Sequence, residues 1–181
     1  ALKQGEKYFV TRNGSSIIAF VAGSEDLAES GIRMAGAHTD SPCLMVKPQP
    51  EMLNNNYFQL GVEVYGGALL NPWFDRDLSL AGRLVYSEAN GQLKQKLVNF
   101  DEAIAIIPSL AIHLDRTANS ERTINPQTDI PPILMQANEK ADFRELLAER
   151  FLSDNEKVMD YELCFYDVQG AATIGLNKEF F

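Results

Sequence analysis

Gly31-Ile32-Arg33-Met34-Ala35-Gly36-Ala37-His38-Thr39-Asp40-Ser41-Pro42 combines two patterns. Ile32 to Ala37 is a run of small and apolar residues, read as a buried strand. Pro42 stops it, because proline cannot donate to a sheet ladder. His38 and Asp40 then stand where a strand gives out into a loop, the edge at which open α/β sheets bind ligands. Residues i and i+2 of an extended chain point the same way. A metal-binding imidazole commonly donates its other N–H to a carboxylate, and His38-Thr39-Asp40 suits that pairing. An ordinary loop histidine beside an ordinary aspartate is the competing reading, and catalytic zinc needs three protein ligands.

Working outward, Tyr8 to Thr11 and Ser16 to Val21 read as a hairpin around Asn13-Gly14, two residues that tolerate the positive φ of a tight turn. Asn13-Gly14-Ser15 also matches a glycosylation sequon, but the turn reading is preferred. Ser24 is placed to cap one helical turn. Beyond Lys47, Pro48-Gln49-Pro50 reads as a stiff connector and Asn54-Asn55-Asn56 as a turn. Phe58 to Tyr65, Leu78 to Tyr86 and Leu93 to Phe100 are expected strands, the last two joined through Asn90-Gly91. Ala103 to Ile107 and Leu110 to Leu114 are further apolar runs. Thr117 to Pro132 is expected to be a long loop, usually functional, interfacial or mobile. Phe143, Leu146, Leu147 and Phe151 have the spacing of an amphipathic helix starting after Asp142. Tyr161 to Val168 returns to strand. Ala171 to Leu176 reads as a small-residue strand akin to Ile32 to Ala37. The organisation inferred is an insertion: a β-rich middle, about 50 to 166, separating two pieces of another sheet.

A chain of 181 residues is long enough to bury a core. Sixteen Lys and Arg against 25 Asp and Glu give a net charge of −9. That balance argues against nucleic acid and membrane surfaces as main partners. No apolar run approaches the ~20 residues of a membrane span. Cys43 and Cys164 are far apart in sequence and form no C-x-x-C, which argues against a disulfide scaffold and a thiolate zinc site. Free cysteines in a cytoplasmic protein are the simpler expectation. No phosphate loop, dinucleotide fingerprint or nucleophile elbow occurs.

Three other groups carry possible chemistry. Trp73-Phe74-Asp75-Arg76-Asp77-Leu78 reads as a loop anchored by its aromatics, with Arg76 paired to a carboxylate, or as a polar knot shaping a site or subunit contact. Cys43 and His38 are close enough in sequence to raise a cysteine nucleophile, without an evident third group to orient them. His113 reads as a partly buried histidine in a β segment.

Several of these stretches together resemble the aspartyl aminopeptidases, a family of two-zinc exopeptidases. The resembling segments are Gly36-Ala37-His38-Thr39-Asp40-Ser41-Pro42 with Lys47-Pro48, Gly61-Val62-Glu63-Val64-Tyr65-Gly66-Gly67, Trp73 to Arg83, Leu110-Ala111-Ile112-His113-Leu114 and Asp160-Tyr161-Glu162-Leu163. They run in order from about residue 7 to the end. The resemblance implies a zinc aminopeptidase that removes N-terminal Asp or Glu from peptides. It implies pieces of an α/β catalytic domain (1–49 and 167–181) and an inserted β-rich dimerisation domain (50–166), so that these residues are mostly β. By the same resemblance His38 is a zinc ligand and Asp40 the carboxylate behind it. His113 is implied to reach the active site of a neighbouring subunit in a homodimer or larger homo-oligomer. The family's bridging aspartate, general-base glutamate and remaining ligands have no counterpart here. The chain is therefore read as an N-terminal-half fragment, inactive by itself, with a non-catalytic oligomerisation module as the alternative.

Overall fold

The computed structural model describes residues 1–181 and divides them into two compact units, Ala1–Asp40 and Ser41–Phe181. The first unit is built on the expected hairpin. Strands β1 (Lys7–Arg12) and β2 (Ser16–Val21) pair antiparallel from Lys7↔Val21 to Arg12↔Ser16. Asn13 and Gly14 both take positive φ, 54° and 68°, and the Ser15 N–H donates to the Arg12 carbonyl. Those are the signs of a mirror-image tight turn, whose twist matches that of the flanking strands. Helix α1 (Leu27–Ser30) is a single turn. Asp26, and not Ser24, caps it, accepting from the Ala28 N–H at 2.8 Å. The expected strand from Ile32 to Ala37 does not form. These residues carry no regular structure and stand exposed. A strand exists only through its ladder, and nothing pairs with this segment.

The second unit is an antiparallel sheet in the order β6-β5-β8-β3-β4-β7. Its strands are β3 (Cys43–Asn54), β4 (Tyr57–Tyr65), β5 (Leu78–Ser87), β6 (Leu93–Asn99), β7 (Ile133–Gln136) and β8 (Lys157–Asp167). Leu44, Val46, Phe58, Leu60, Val62, Leu80, Leu84, Leu163 and Phe165 alternate onto one face and are buried. Helix α2 (Phe143–Phe151) covers this face with Phe143 and Leu147. Its cap is Asp142, whose carboxylate accepts from the N–H groups of Arg144 and Glu145. Burying a Leu or Phe side chain contributes about 1.5–3 kcal/mol, so this shared face holds the unit together.

Pro48-Gln49-Pro50 is not a connector; it lies inside β3. Prolines are tolerated there because the ladder to β4 is interrupted between Val46 and Glu51 by a register shift. The carbonyls released from pairing find side chains. The Tyr161 hydroxyl donates to the Lys47 carbonyl at 2.6 Å, and Arg144 donates to that of Pro48 at 3.1 Å. Arg144 also lies over the Tyr161 ring, and Phe143 packs edge-on to the same ring. Burial pushes the Tyr161 phenol up to about 12, so it remains a donor.

Gly82 sets the spacing at the centre of the sheet. It lies opposite Leu163 with φ 155°, and a Cβ there would come within 2.0 Å of the Glu162 carbonyl oxygen. The remaining elements depart from expectation at their ends. Ala103 to Ile107 makes only the isolated bridges Leu78↔Ala105 and Ile106↔Ile133. Leu110 to Leu114 forms no strand and turns at Ile112–Leu114, and Thr117 to Pro132 is the long loop expected. Ala171 to Leu176 is exposed and forms no strand beyond the bridge Ile174↔Phe180. No helix is long and apolar enough to cross a membrane.

Candidate metal ligand and histidine loop

His38 and Asp40 do meet, but through local chain folding and not as neighbours on a strand. His38 Nδ1 lies 2.8 Å from the Asp40 backbone carbonyl and 3.2 Å from its carboxylate Oδ1. A carbonyl oxygen can only accept, so Nδ1 carries the proton. In the neutral ring the free nitrogen is then Nε2, and the side chain is 82% exposed. That is the tautomer a metal ligand needs, held by its neighbour as metal-binding imidazoles are. The arrangement offers one exposed imidazole nitrogen beside Asp40. No three His, Cys, Asp or Glu side chains gather where they can hold an ion. Catalytic zinc takes three protein ligands and a water, so the residues of this chain do not by themselves fit the metal.

The second unit carries His113. It is not a partly buried β histidine: the turn Ile112–Leu114 exposes it, together with Leu110, Ile112 and Leu114. Leu114 N–H and Asp115 N–H both donate to the Ala111 carbonyl, which shapes that turn. Exposed aliphatic side chains clustered around a polar group mark contact surfaces.

The Trp73 segment is structural in its contacts. A 3-10 turn at Asn71–Trp73 leads to Asp75, which takes a left-handed φ of 57°. Arg76 pairs with neither flanking aspartate. It donates to Asp167 at the end of β8 at 2.6 Å and to the Pro72 carbonyl. Asp75 accepts from the Ser109 N–H at 2.8 Å, and that bond holds its carboxyl below the ordinary range. Arg122, which no sequence pattern marks, lies with its guanidinium 3.9 Å from the centre of the Phe74 ring.

Cys43 and Cys164, distant in sequence, meet on the sheet face opposite the core. Met45 is the ladder partner of Cys164, and Cys43 lies two residues along the same face. Burial, reinforced by the hydrogen bond with Cys43, pushes the Cys164 thiol up to about 12. Its thiolate is scarce at neutral pH, which suits a packed thiol and not a nucleophile. A polar cleft of about 460 Å³ opens at the Asn55-Asn56 turn with Tyr57, Gln136, Ala137 and Asn138, and none of the candidate catalytic or metal-ligating residues lines it.

Residues 1–181 match the model of the aminopeptidase I zinc metalloprotease (M18) family throughout. The chain belongs to the M18 family. It is 58% identical over 182 residues to a probable M18 family aminopeptidase 2 of Ectopseudomonas mendocina, an alignment spanning 97% of this chain and 42% of that protein. Among solved M18 structures, Chaetomium thermophilum mApe1 superposes with a TM-score of 0.80 at 35% identity, over 99% of this chain and 44% of that one. The S. cerevisiae mApe1 dodecamer superposes with a TM-score of 0.69 at 26% identity, over 97% and 40%. The chain thus spans about two fifths of the length of its M18 relatives.

Proposed function

We propose that the full-length protein is a zinc metallo-aminopeptidase that hydrolyses N-terminal Asp or Glu from peptides in the cytoplasm. The match of all 181 residues to the M18 zinc metalloprotease model carries this reading. In it, residues 1–49 and 167–181 belong to an α/β catalytic domain and 50–166 form an inserted dimerisation domain. His38 supplies one metal ligand through Nε2, Asp40 fixes its ring, and the other donors and the catalytic base come from outside these 181 residues. Zinc held by His38 together with those outside donors would supply Lewis-acid chemistry for amide hydrolysis near neutral pH. The isolated chain is inactive in this reading. With a net charge of −9 it does not draw an acidic substrate by long-range attraction, so selectivity rests on local groups.

His113 is assigned to a neighbouring subunit's active site. Its exposure among Leu110, Ile112 and Leu114 supports burial against another copy, and the dodecamer of the S. cerevisiae relative supports self-association. The edge strand β6 favours a second role, as an assembly module. It exposes Leu93 and Leu97, side chains that a second copy can cover.

The test is an assay of the full-length enzyme on peptides beginning with Asp or Leu, with and without a chelator. Faster cleavage of the Asp peptide, abolished by chelation and by His38→Ala, is expected. Equal rates on the two peptides would remove the acidic specificity, and indifference to the chelator would remove the metal. Sedimentation of the 181-residue chain tests assembly: a strict monomer at high concentration would defeat the module role.

A further inference from the structure

The loop that carries His113 is closed at its base by one side chain. Arg122 Nη1 approaches Ser109 Oγ at 3.5 Å and Asn71 Oδ1 at 3.4 Å, while the guanidinium plane rests on Phe74. Ser109 is tied a second time, through its N–H to the Asp75 carboxylate. Asp75 itself is tied to the strand-like run before the loop, donating its N–H to the Ile107 carbonyl at 2.9 Å. Ile107 and Ile130, on either side, are buried in the core. The segment from Ser109 to Arg122 is therefore a loop whose ends are held together on a fixed platform, Asn71 to Asp75, with His113 exposed in its turn.

Arg122 spans the loop's first residue and the platform, its Nη1 reaching both acceptors while the guanidinium plane stacks on Phe74, a stacking that an ammonium does not reproduce. We propose that Arg122, seated on Phe74, is a positioning residue that presents His113 to the neighbouring subunit's active site. This rests on the reading of His113 given above, and the two can fail separately.

The experiment is a double-mutant cycle in the full-length enzyme, using a peptide the wild type cleaves. His113→Ala is expected to lower kcat. Arg122→Ala is expected to lower it about tenfold or more, as misplacement of a reacting group does. The variant carrying both changes should be no slower than His113→Ala alone, because Arg122 acts only through the histidine. Hydrogen exchange should quicken at residues 110–116 in Arg122→Ala and stay unchanged at Gly61–Tyr65. If Arg122→Ala does not fold, Arg122→Lys keeps the charge and loses the stacked plane, and should show the same non-additive loss. A silent His113→Ala overturns the subunit reading and the proposal with it. A deleterious His113→Ala combined with a silent or fully additive Arg122 variant overturns the positioning role alone.

Discussion

The hairpin of the first unit and the sheet of the second both contain strongly apolar strands, yet they bury very different amounts. Ser16-Ile17-Ile18-Ala19-Phe20-Val21 is as apolar as Tyr57 to Tyr65, but every residue of β2 is exposed while β4 hides Phe58, Leu60 and Val62. The difference lies in what covers them. β4 has β3 and β7 on its flanks, and the face it shares with β8 is roofed by α2. β2 pairs only with β1, in a two-stranded sheet. Two strands alone are marginal in water because they remove little apolar surface from it. Burial is therefore a property of a strand's neighbours more than of its residues.

The sharpest way to break the sheet is at Gly82. Gly82→Ala forces a Cβ to within 2.0 Å of a backbone oxygen on β8. A loss of about 5 kcal/mol, or failure to fold, is expected, since backbone cannot yield as a side-chain tip does. Denaturation of the variant reads this directly, and a loss below about 1 kcal/mol would contradict the close approach of β5 and β8.

Truncating the same residue type in each unit sets the comparison most plainly. Phe58→Ala is expected to destabilise the sheet by about 3–5 kcal/mol through the cavity it leaves. Phe9→Ala in β1, where the ring is exposed, should change stability by no more than about 0.5 kcal/mol. Equal losses in urea titrations would mean that the hairpin shares a core.

Smaller effects sharpen the picture. Asp142→Ala removes the carboxylate that caps α2 and should cost about 1 kcal/mol, read as an earlier urea midpoint with unchanged slope. The weakest effect is that of pH on the base of the His113 loop and on the Asn125 turn that follows it. The Ser109 N–H on Asp75 and the Asn125 N–H on Asp129 hold both carboxyls below the ordinary 3.8. A depressed folded value stabilises above the unfolded value and is lost as pH falls through the folded one. The amide resonances of Ser109 and Asn125 should therefore titrate with midpoints below 3.8, while those of β1 and β2 do not follow. Midpoints at or above 3.8 would dissolve the two bonds.

Much of the sheet was legible because alternation and helical spacing are local signals. Phe58 to Tyr65, the helix after Asp142 and the turn at Asn13-Gly14 stand where their residues put them. The segments that depart from their sequence pattern are those whose state depends on distant partners. Pro48-Gln49-Pro50 reads as a stiff connector, yet it continues β3 because Tyr161 and Arg144 take up the carbonyls freed where the ladder to β4 is interrupted. Ile32 to Ala37 and Ala171 to Leu176 have strand composition and no neighbour to pair with. At the candidate site, the pairing of His38 with Asp40 was readable because it is made within three residues. The seat of Arg122 on Phe74 was not, because the two meet only after the chain has crossed most of a loop.

What the order of residues determined by itself was the strand and helix alphabet, the tautomer-setting neighbour of His38 and the M18 likeness of the whole chain. Only the tertiary structure decided which strands became a core, where two prolines were tolerated and how His113 came to be exposed. Alternation is written in each strand, whereas burial and the satisfaction of freed backbone groups require partners that sequence separation conceals.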